Sequence, residues 1–270
     1  MDLDITVIDQ NEWDAHLGNC SHSSFFHQYT ALTLLANETG SRLHPIAGYR
    51  NQELIGLFPI FAKTVGGLVT VVFSPPPDLE TNLGPVLSYP GTIKQRKKEQ
   101  WHTAFIEQSL QWIDATIQPR YITIGTTATY TDVRPFLWNG FDAVPSYTYR
   151  LDLTPGADAL FSNCSSDLRS NIRKVDTDDY AIREGGPGDI DRIVSQIQRR
   201  YRAQGERYWM DDSALVRNLY QHLPDGTVRP YTLTVDGEFV GGIVVLEHGD
   251  TLYRWIGGST APGPLPVNDL

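Results

Sequence analysis

A strand-turn-strand pattern occurs twice in this sequence, around Glu53 and around Glu238. Each copy has a polar turn ending in glutamate and an apolar second strand, and an offset of 185 positions places Gly56 on Gly241. A glycine inside a strand often marks a bulge or a close approach of another part of the molecule. Segments with helical periodicity precede both copies. The repeat therefore predicts two lobes of one α+β fold, with mixed, largely antiparallel sheets flanked by helices.

Hydrophobic periodicity and turn residues divide the first lobe into elements. We predict, in order, a first strand, a short helix capped by Asn11, a helix ending at Gly40, a hairpin around Glu53, a strand over 68–73, a loop over 75–91, a helix over 93–117, a strand over 121–124, a short helix over 132–137 and a strand pair over 141–153. Pro155-Gly156 suggests the boundary between the lobes, which gives domains of 1–154 and 155–270.

The second lobe is predicted to have three helices followed by three strands. Apolar residues repeat at helical spacing in its first half, and Asp-Gly between apolar runs is a strong hairpin signal. We predict a helix over 160–175, a helix from Pro187 to Gly205, a helix capped by Asp211 or Asp212, antiparallel strands on either side of Asp236-Gly237, and a third strand from Thr251.

The charge balance is acidic, with 32 Asp and Glu against 22 Lys and Arg. Lysine is scarce, a pattern that resembles halophilic proteins, in which exposed carboxylates hold water at high salt. Nucleic-acid binding needs a basic face, so the charge counts against DNA and against tRNA as partners. The chain has no signal-peptide pattern and no apolar run long enough for a membrane span, so we expect a cytoplasmic protein.

Cysteine and histidine form no motif for metal binding or nucleophilic catalysis. Cys20 and Cys164 have no second cysteine or histidine at ligand spacing. The Gly-x-Ser-x-Gly elbow of serine hydrolases is also absent. We therefore predict no metal cofactor, and the sequence names no catalytic base.

Five segments resemble the tandem GNAT-type acyltransferases of the FemAB-like superfamily, including their BioF-like members. They are Ser24-Phe-Phe, Leu168-Arg-Ser-Asn-Ile-Arg-Lys174, Asp236-Gly-Glu-Phe-Val-Gly-Gly242, Tyr253-Arg-Trp-Ile-Gly-Gly-Ser259 and Pro266-Val-Asn-Asp-Leu270. The resemblance covers most of the chain. It implies two GNAT-like lobes and the transfer of an acyl group from an acyl-CoA thioester, such as acetyl-CoA, to an amine.

The resemblance also implies a thioester cleft in the second lobe, where the strand Thr251–Gly257 would splay from its neighbour. The pyrophosphate would meet the N-terminus of the following helix. The implied cofactor-binding residues are Tyr253, Trp255, Gly257, Gly258 and Asn268. By the repeat, the counterpart of residues 86–150 would follow Leu270. We therefore expect the second lobe to be truncated, without its final helix and strands.

Two basic clusters are candidates for binding an anionic group of the substrate. Arg169, Arg173 and Lys174 lie within about one turn on a predicted helix, where the resemblance favours such a group. The alternative is a solvated face paired with the aspartates that follow. Arg200 and Arg207 lie among aromatic residues that would line a cleft over a sugar or a nucleotide, with core packing of those aromatic residues as the alternative.

Three functions remain open from the sequence. The first is an N-acyltransferase that uses acyl-CoA and a small-molecule or sugar-linked amine, such as a cell-envelope precursor. The second is an aminoacyl-tRNA-dependent transferase of the peptidoglycan-bridge type, against which the acidic charge counts. The third is a truncated, non-catalytic chain that only binds a ligand or partner.

Overall fold

The computed structural model describes residues 2–77, 79, 81–89, 91, 93–174 and 180–259, except the side chain of Lys174. The chain divides into two units, Met1–Tyr147 (unit 1) and Thr148–Leu270 (unit 2). Among the described residues, each unit contains one sheet with helices packed on it. The α+β class with mixed, largely antiparallel sheets is thereby confirmed.

Unit 1 consists of β1 Asp4–Val7, α1 Gln10–Leu17, β2 Cys20–Ser21, α2 Tyr29–Thr39, β3 Arg42–Arg50, β4 Glu53–Val65, β5 Val69–Ser74, β6 Val86–Ser88, α3 Gln95–Ile117, β7 Tyr121–Ile124 and α4 Arg134–Trp138. The strands form a seven-stranded sheet in the order β1-β3-β4-β5-β7, and β6 joins β2 to β4. The β5–β7 pair is parallel, and the other pairs are antiparallel. The predicted long helix and the left-handed cap at Gly40 are both confirmed.

The core of unit 1 lies between this sheet and α3. Apolar residues recur along α3 at helical spacing, and Phe105 in its middle is fully buried. Phe105 packs over Gly48 and Gly56, which are directly opposite each other on β3 and β4. A Cβ added at either glycine would lie 2.6–2.7 Å from a carbon of the Phe105 ring. Glycine is therefore required at both positions for the helix to reach the sheet.

Unit 2 consists of α5 Ala157–Asn163, α6 Ser166–Lys174, β8 Tyr180–Glu184, α7 Pro187–Ala203, α8 Ala214–His222, β9 Val228–Val235, β10 Glu238–His248 and β11 Thr251–Ser259. The strands form an antiparallel sheet in the order β11-β10-β9-β8. Asp236 and Gly237 both have positive φ, as the tight turn of the predicted hairpin requires. α7 packs on the sheet through Ile193 and Ile197, which lie over Gly242 and Gly258.

The two repeated hairpins share a β-bulge at the same repeat position. In unit 1 the register skips Ile55 on β4, immediately before Gly56. In unit 2 it skips Val240 on β10, immediately before Gly241. A bulge is a specific backbone feature, and Ile55 and Val240 are 185 positions apart. This correspondence supports the proposal that the two units are copies of one fold.

Five sequence predictions need correction at the helices and strands. The first helix is capped by Asp9, whose carboxylate accepts from the Glu12 N–H at 3.0 Å, whereas Asn11 lies inside the helix. The predicted helix over 160–175 is two helices, because Ser165 accepts from the Leu168 N–H at 3.2 Å and starts a new one. The strand β6 lies within the segment 75–91, which was predicted to be a loop, and the strand β8 was not predicted. The third helix of unit 2 has Ser213 at its N-cap in place of the predicted Asp211 or Asp212, although the Asp212 carboxylate accepts from the Ala214 N–H.

The predicted strand pair over 141–153 is wrong. These residues form no strand, although Tyr147, Tyr149, Leu151 and Leu153 alternate with polar residues. Tyr147 and Tyr149 are 93% and 98% exposed. Alternation produces a strand only where a sheet edge accepts its hydrogen bonds, and no described strand pairs with this segment.

Candidate functional site

The strand β11, where the resemblance places the thioester cleft, is an edge strand of the unit 2 sheet. It pairs with β10 along one edge, and no described strand pairs with its other edge. Its register skips Trp255, because Val244 is opposite Ile256 whereas Val245 is opposite Arg254. A bulge of this kind interrupts the regular ladder between two strands and is common beside active sites. β11 therefore presents polar backbone groups along one edge and an interruption at Trp255.

The bulge changes the expected alternation of side chains on β11. Trp255 is 9% exposed and its neighbour Ile256 is also buried, so the burial pattern no longer alternates. Burial raises the pKa of the half-buried Tyr253, whose phenol stays protonated at neutral pH. Strict alternation, which would put Tyr253 and Trp255 on one face, is therefore interrupted between them.

The aromatic residues predicted to line a cleft do come together in unit 2. The rings of Trp209 and Trp255 have centroids 6.4 Å apart, and Tyr208 lies 5.4 Å from Trp209. Tyr201 on α7 extends the row, at 5.0 Å from Tyr208. The row joins α7, the segment after it, and the bulge of β11. It includes buried Tyr208, so packing accounts for part of it.

Arg200 and Gly258, predicted separately as substrate-binding and cofactor-binding residues, are neighbours. A Cβ added at Gly258 would lie 3.9 Å from a guanidinium nitrogen of Arg200 and 3.6 Å from Ile197. Arg200 is exposed, and its side chain makes no hydrogen bond or salt bridge with a described residue. An exposed, uncompensated guanidinium therefore lies beside the C-terminal end of β11.

Gly257 has a different packing role. A Cβ added there would lie 2.6 Å from Ile243 and 2.8 Å from the carbonyl oxygen of Gly242. Glycine at this position lets β10 and β11 approach closely next to the bulge. Asn268 lies outside the described residues.

The other predicted substrate-binding cations are engaged locally. Arg169 donates to the carbonyl oxygens of Ser162, at 2.9 Å, and of Cys164, at the C-terminus of α5. The Arg173 guanidinium lies 5.1 Å from the centroid of the Phe161 ring. Arg207 forms a salt bridge of 2.6 Å with Asp211, in which both side chains are largely exposed. The side chain of Lys174 and the aspartates that follow it lie outside the described part.

Sequence reasoning missed a cavity of about 330 Å³ in unit 1. It lies between β2, β6, the first turns of α3 and the segment after β7. The lining residues are Ser21, His22, Leu87, Tyr89, Gln95, Lys98, Glu99, His102, Tyr130, Thr131 and Asp132. This size is at the lower end of the range for small-molecule sites.

His102, Tyr130 and Asp132 form a connected triad at the cavity. His102 is 4% exposed and its Nε2 is hydrogen-bonded to the Tyr130 hydroxyl. Its Nδ1 lies 3.6 Å from an Asp132 oxygen, and Arg134 donates to the same carboxylate at 2.8 Å. A carboxylate beside Nδ1 favours the tautomer with a proton on that nitrogen. Nε2 then accepts the hydrogen bond from Tyr130.

Burial and charge fix the protonation states of the triad at neutral pH. Burial lowers the pKa of His102 and outweighs the opposing effect of Asp132, so the imidazole is neutral. Burial raises the pKa of Tyr130, and the hydrogen bond from Arg134 lowers the pKa of Asp132. The triad is thus a protonated phenol, a neutral imidazole and an ionised carboxylate. The three residues are too far apart in sequence for spacing to identify them.

The free energy of unfolding of unit 1 should fall as the pH drops below 6.5. The His102 pKa lies below the ordinary 6.5 in the folded chain, so the unfolded chain takes up a proton first. This contribution is fully present above pH 6.5 and decreases by about 1.4 kcal/mol per pH unit until the folded pKa is reached. Urea unfolding at pH 7.5 and 5.5 should show this fall in stability, and the difference between the two pH values should be smaller for His102→Gln than for the unchanged chain. An equal difference in both proteins would contradict the prediction.

No group of three or more His, Cys, Asp or Glu side chains in the described part is placed to hold a metal ion. None of the helices in the described ranges has the length and apolar character needed to cross a membrane.

Comparison with known proteins gives one family match and one similar fold. Residues 162–262 match the model of the acetyltransferase (GNAT) domain. The crystal structure of FemX is similar with a TM-score of 0.62 and 12% identity, over 95% of this chain and 80% of FemX. A search of curated protein sequences finds no match to this chain.

Other solved structures are similar at TM-scores below 0.5, on which we base no argument. A ribosomal-protein-alanine N-acetyltransferase from Brucella melitensis biovar Abortus 2308 has a TM-score of 0.34 and 9% identity, over 56% of this chain and 100% of that one. A conserved protein of unknown function from Bacteroides thetaiotaomicron VPI-5482 has a TM-score of 0.44 and 10% identity, over 90% and 75%. Residues 162–262 are therefore similar to GNAT acetyltransferase domains, and the chain has a fold similar to that of FemX.

Proposed function

We propose that the chain transfers an acyl group from an acyl-CoA thioester, with acetyl-CoA as the first candidate, to a small-molecule or sugar-linked amine. The GNAT domain gives the coarse class, an acyltransferase that acts on an amine. The donor, the acceptor and the residues that bind them are the proposed part.

The bulged edge strand β11 is the observation that carries this proposal. Its equivalent in unit 1 is β5, which is hydrogen-bonded along both edges, to β4 and to β7. The β4–β5 register is also continuous at Thr70, the counterpart of Trp255. The two copies therefore differ in the feature that a thioester site needs, which is an irregular edge strand that no second described strand covers. This difference supports a donor site in unit 2.

The residues at and beside β11 fit the donor in three respects. Backbone N–H groups on the edge of β11 that pairs with no described strand would hydrogen-bond the thioester carbonyl and stabilise the negative charge that develops on its oxygen during transfer. Arg200, exposed beside Gly258 without a described partner, would bind a phosphate of the nucleotide part. Trp209, half-buried beside the buried Trp255, would offer an apolar surface for the rest of the molecule. We retain Tyr253, Gly257 and Asn268 as proposed donor contacts.

Transfer requires the amine nitrogen to attack the thioester carbonyl carbon, with the thiolate leaving and the amine losing a proton. The protein contributes mainly by positioning the two reactants. Arg169, Arg173 and Arg207 remain proposed substrate contacts, although their local partners would have to be given up or shared. The sequence and the described site identify no base for the amine proton.

Calorimetry with acetyl-CoA, followed by a thiol-release assay with ethanolamine and glucosamine as acceptors, tests the proposal. We expect heat of binding at micromolar to millimolar acetyl-CoA and release of free CoA that depends on the amine. Binding without release for any amine would favour the non-catalytic hypothesis. A shift of charged tRNA in a gel, with no acetyl-CoA binding, would favour the tRNA-dependent hypothesis. A folded chain that shows none of these would overturn the proposal.

A further inference from the structure

We propose that the cavity in unit 1 is a second ligand site, which binds a small molecule carrying a primary amine and an acidic group. The amine would lie at Tyr130, Ser21 and Glu99, and the acidic group at Lys98. The proposal is independent of acyl transfer in unit 2. It is based on the hydrogen-bonding state and the charge of the lining residues.

Two hydroxyl groups that line the cavity already donate hydrogen bonds to other protein groups. The Ser21 hydroxyl donates to the carbonyl oxygen of Leu87 at 2.9 Å. Tyr130 donates to His102 in the tautomer that Asp132 favours, which has the other imidazole proton at Nδ1. Each oxygen keeps lone pairs that can accept further hydrogen bonds. A ligand that donates several hydrogen bonds, such as an ammonium group, is therefore the complementary partner.

The lining carries two carboxylates, Glu99 and Asp132, and one ammonium group, Lys98. Glu99 and Asp132 share one guanidinium, that of Arg134, at 3.3 and 2.8 Å, which leaves a net negative charge near the triad. Lys98 makes no salt bridge with a described residue, and its ammonium lies 5.3 Å from the centroid of the Tyr89 ring. Both histidines of the lining, His22 and His102, have pKa values lowered by burial and are neutral at pH 7.

This arrangement matches an amino acid or an aminoalkyl phosphate better than a simple ion. A simple anion would satisfy Lys98 but would face the carboxylates, and a simple amine would leave Lys98 without a counter-ion. A ligand with both groups satisfies each part of the lining with a charge-assisted hydrogen bond. His102 is a positioning residue here, since it fixes the direction of the Tyr130 hydroxyl.

A series of ω-amino acids from glycine to 6-aminohexanoate tests the site and samples the spacing of the two charges. Alkylamines and alkanoates of equal length are the single-charge controls, and 2-aminoethylphosphonate distinguishes a phosphate from a carboxylate. Affinity is measured by calorimetry, and movement of the His102 imidazole NMR signals places the ligand in the cavity. We expect at least one two-charge probe to bind about tenfold more tightly than both matched controls.

Variants of the lining separate a binding role from a structural one. Lys98→Met should weaken the best probe by about 10-fold and Tyr130→Phe by about 3- to 10-fold. The matched control is Lys97→Met, because Lys97 is exposed on the same helix, lies over the Trp101 ring and is not part of the lining. Equal affinity for two-charge and single-charge probes, or affinities unchanged in both lining variants, would overturn the proposal. Absence of binding by every two-charge probe to the folded chain would do the same.

Discussion

Replacing Phe105 with alanine should destabilise unit 1 by about 3–5 kcal/mol. Its side chain is fully buried, and its ring covers the glycine pair Gly48 and Gly56. The glycines have no side chains to move into the space left by the ring, so the cavity would stay open. Amide hydrogen exchange of α3 and β4 is the appropriate measurement, because it reports on unit 1 separately from unit 2. The exposed Leu68, at 91% exposure, gives the control: Leu68→Ala should change stability by less than about 0.5 kcal/mol.

A double-mutant cycle tests whether the contact between Phe105 and Gly48 contributes to the stability of unit 1. Gly48→Ala alone should be destabilising, because its Cβ would lie 2.6 Å from a Phe105 carbon. In the Phe105→Ala background that clash disappears, and the nearest remaining atom is Cδ1 of Ile5 at 3.0 Å. We therefore expect strong coupling between the two substitutions. Additive effects would show that Phe105 and Gly48 contribute independently, contrary to the packing argument.

The elements predicted best from the sequence are those that a pattern within their own residues determines. The apolar spacing of α3 and the Asp236-Gly237 turn each determine a helix or a hairpin without reference to the rest of the chain. The alternating segment around Tyr149 has an equally clear local pattern but forms no strand. Whether this segment forms a strand depends on the availability of a sheet edge, which is a property of the whole fold and not of the segment.

The candidate sites were predicted less well, for a similar reason. The arginines of the second unit were identified by charge and spacing, yet their roles depend on where neighbouring elements end. The break at Ser165 brings Arg169 to the carbonyl groups at the end of α5, and Asp211 pairs with Arg207. The bulge at Trp255 has no sequence signature. His102, Tyr130 and Asp132 come together only when α3 packs beside the segment after β7.

Arg200→Met should weaken acetyl-CoA binding by about 10- to 100-fold, as expected for the loss of a charge-assisted hydrogen bond. Methionine keeps an unbranched apolar stem beside Ile197 and Gly258, so the packing of α7 on β11 should survive. Calorimetry with acetyl-CoA measures the change, and dephospho-acetyl-CoA shows how much of it depends on the 3′-phosphate. A smaller loss with the dephospho compound would place Arg200 at that phosphate, and an equal loss would favour the pyrophosphate.

The control for this prediction is Arg202→Met, two residues along the same helix. Arg202 is exposed and donates to Gln198 at 3.4 Å on α7 itself. It carries the same charge as Arg200, so its removal changes the net charge of unit 2 equally. Long-range attraction of a polyanionic donor would weaken similarly in both variants and would be screened by salt. Direct contact predicts a large loss for Arg200→Met alone, which persists at high salt. Similar losses in the two variants would remove Arg200 from the donor site and leave the backbone of β11 as its main determinant.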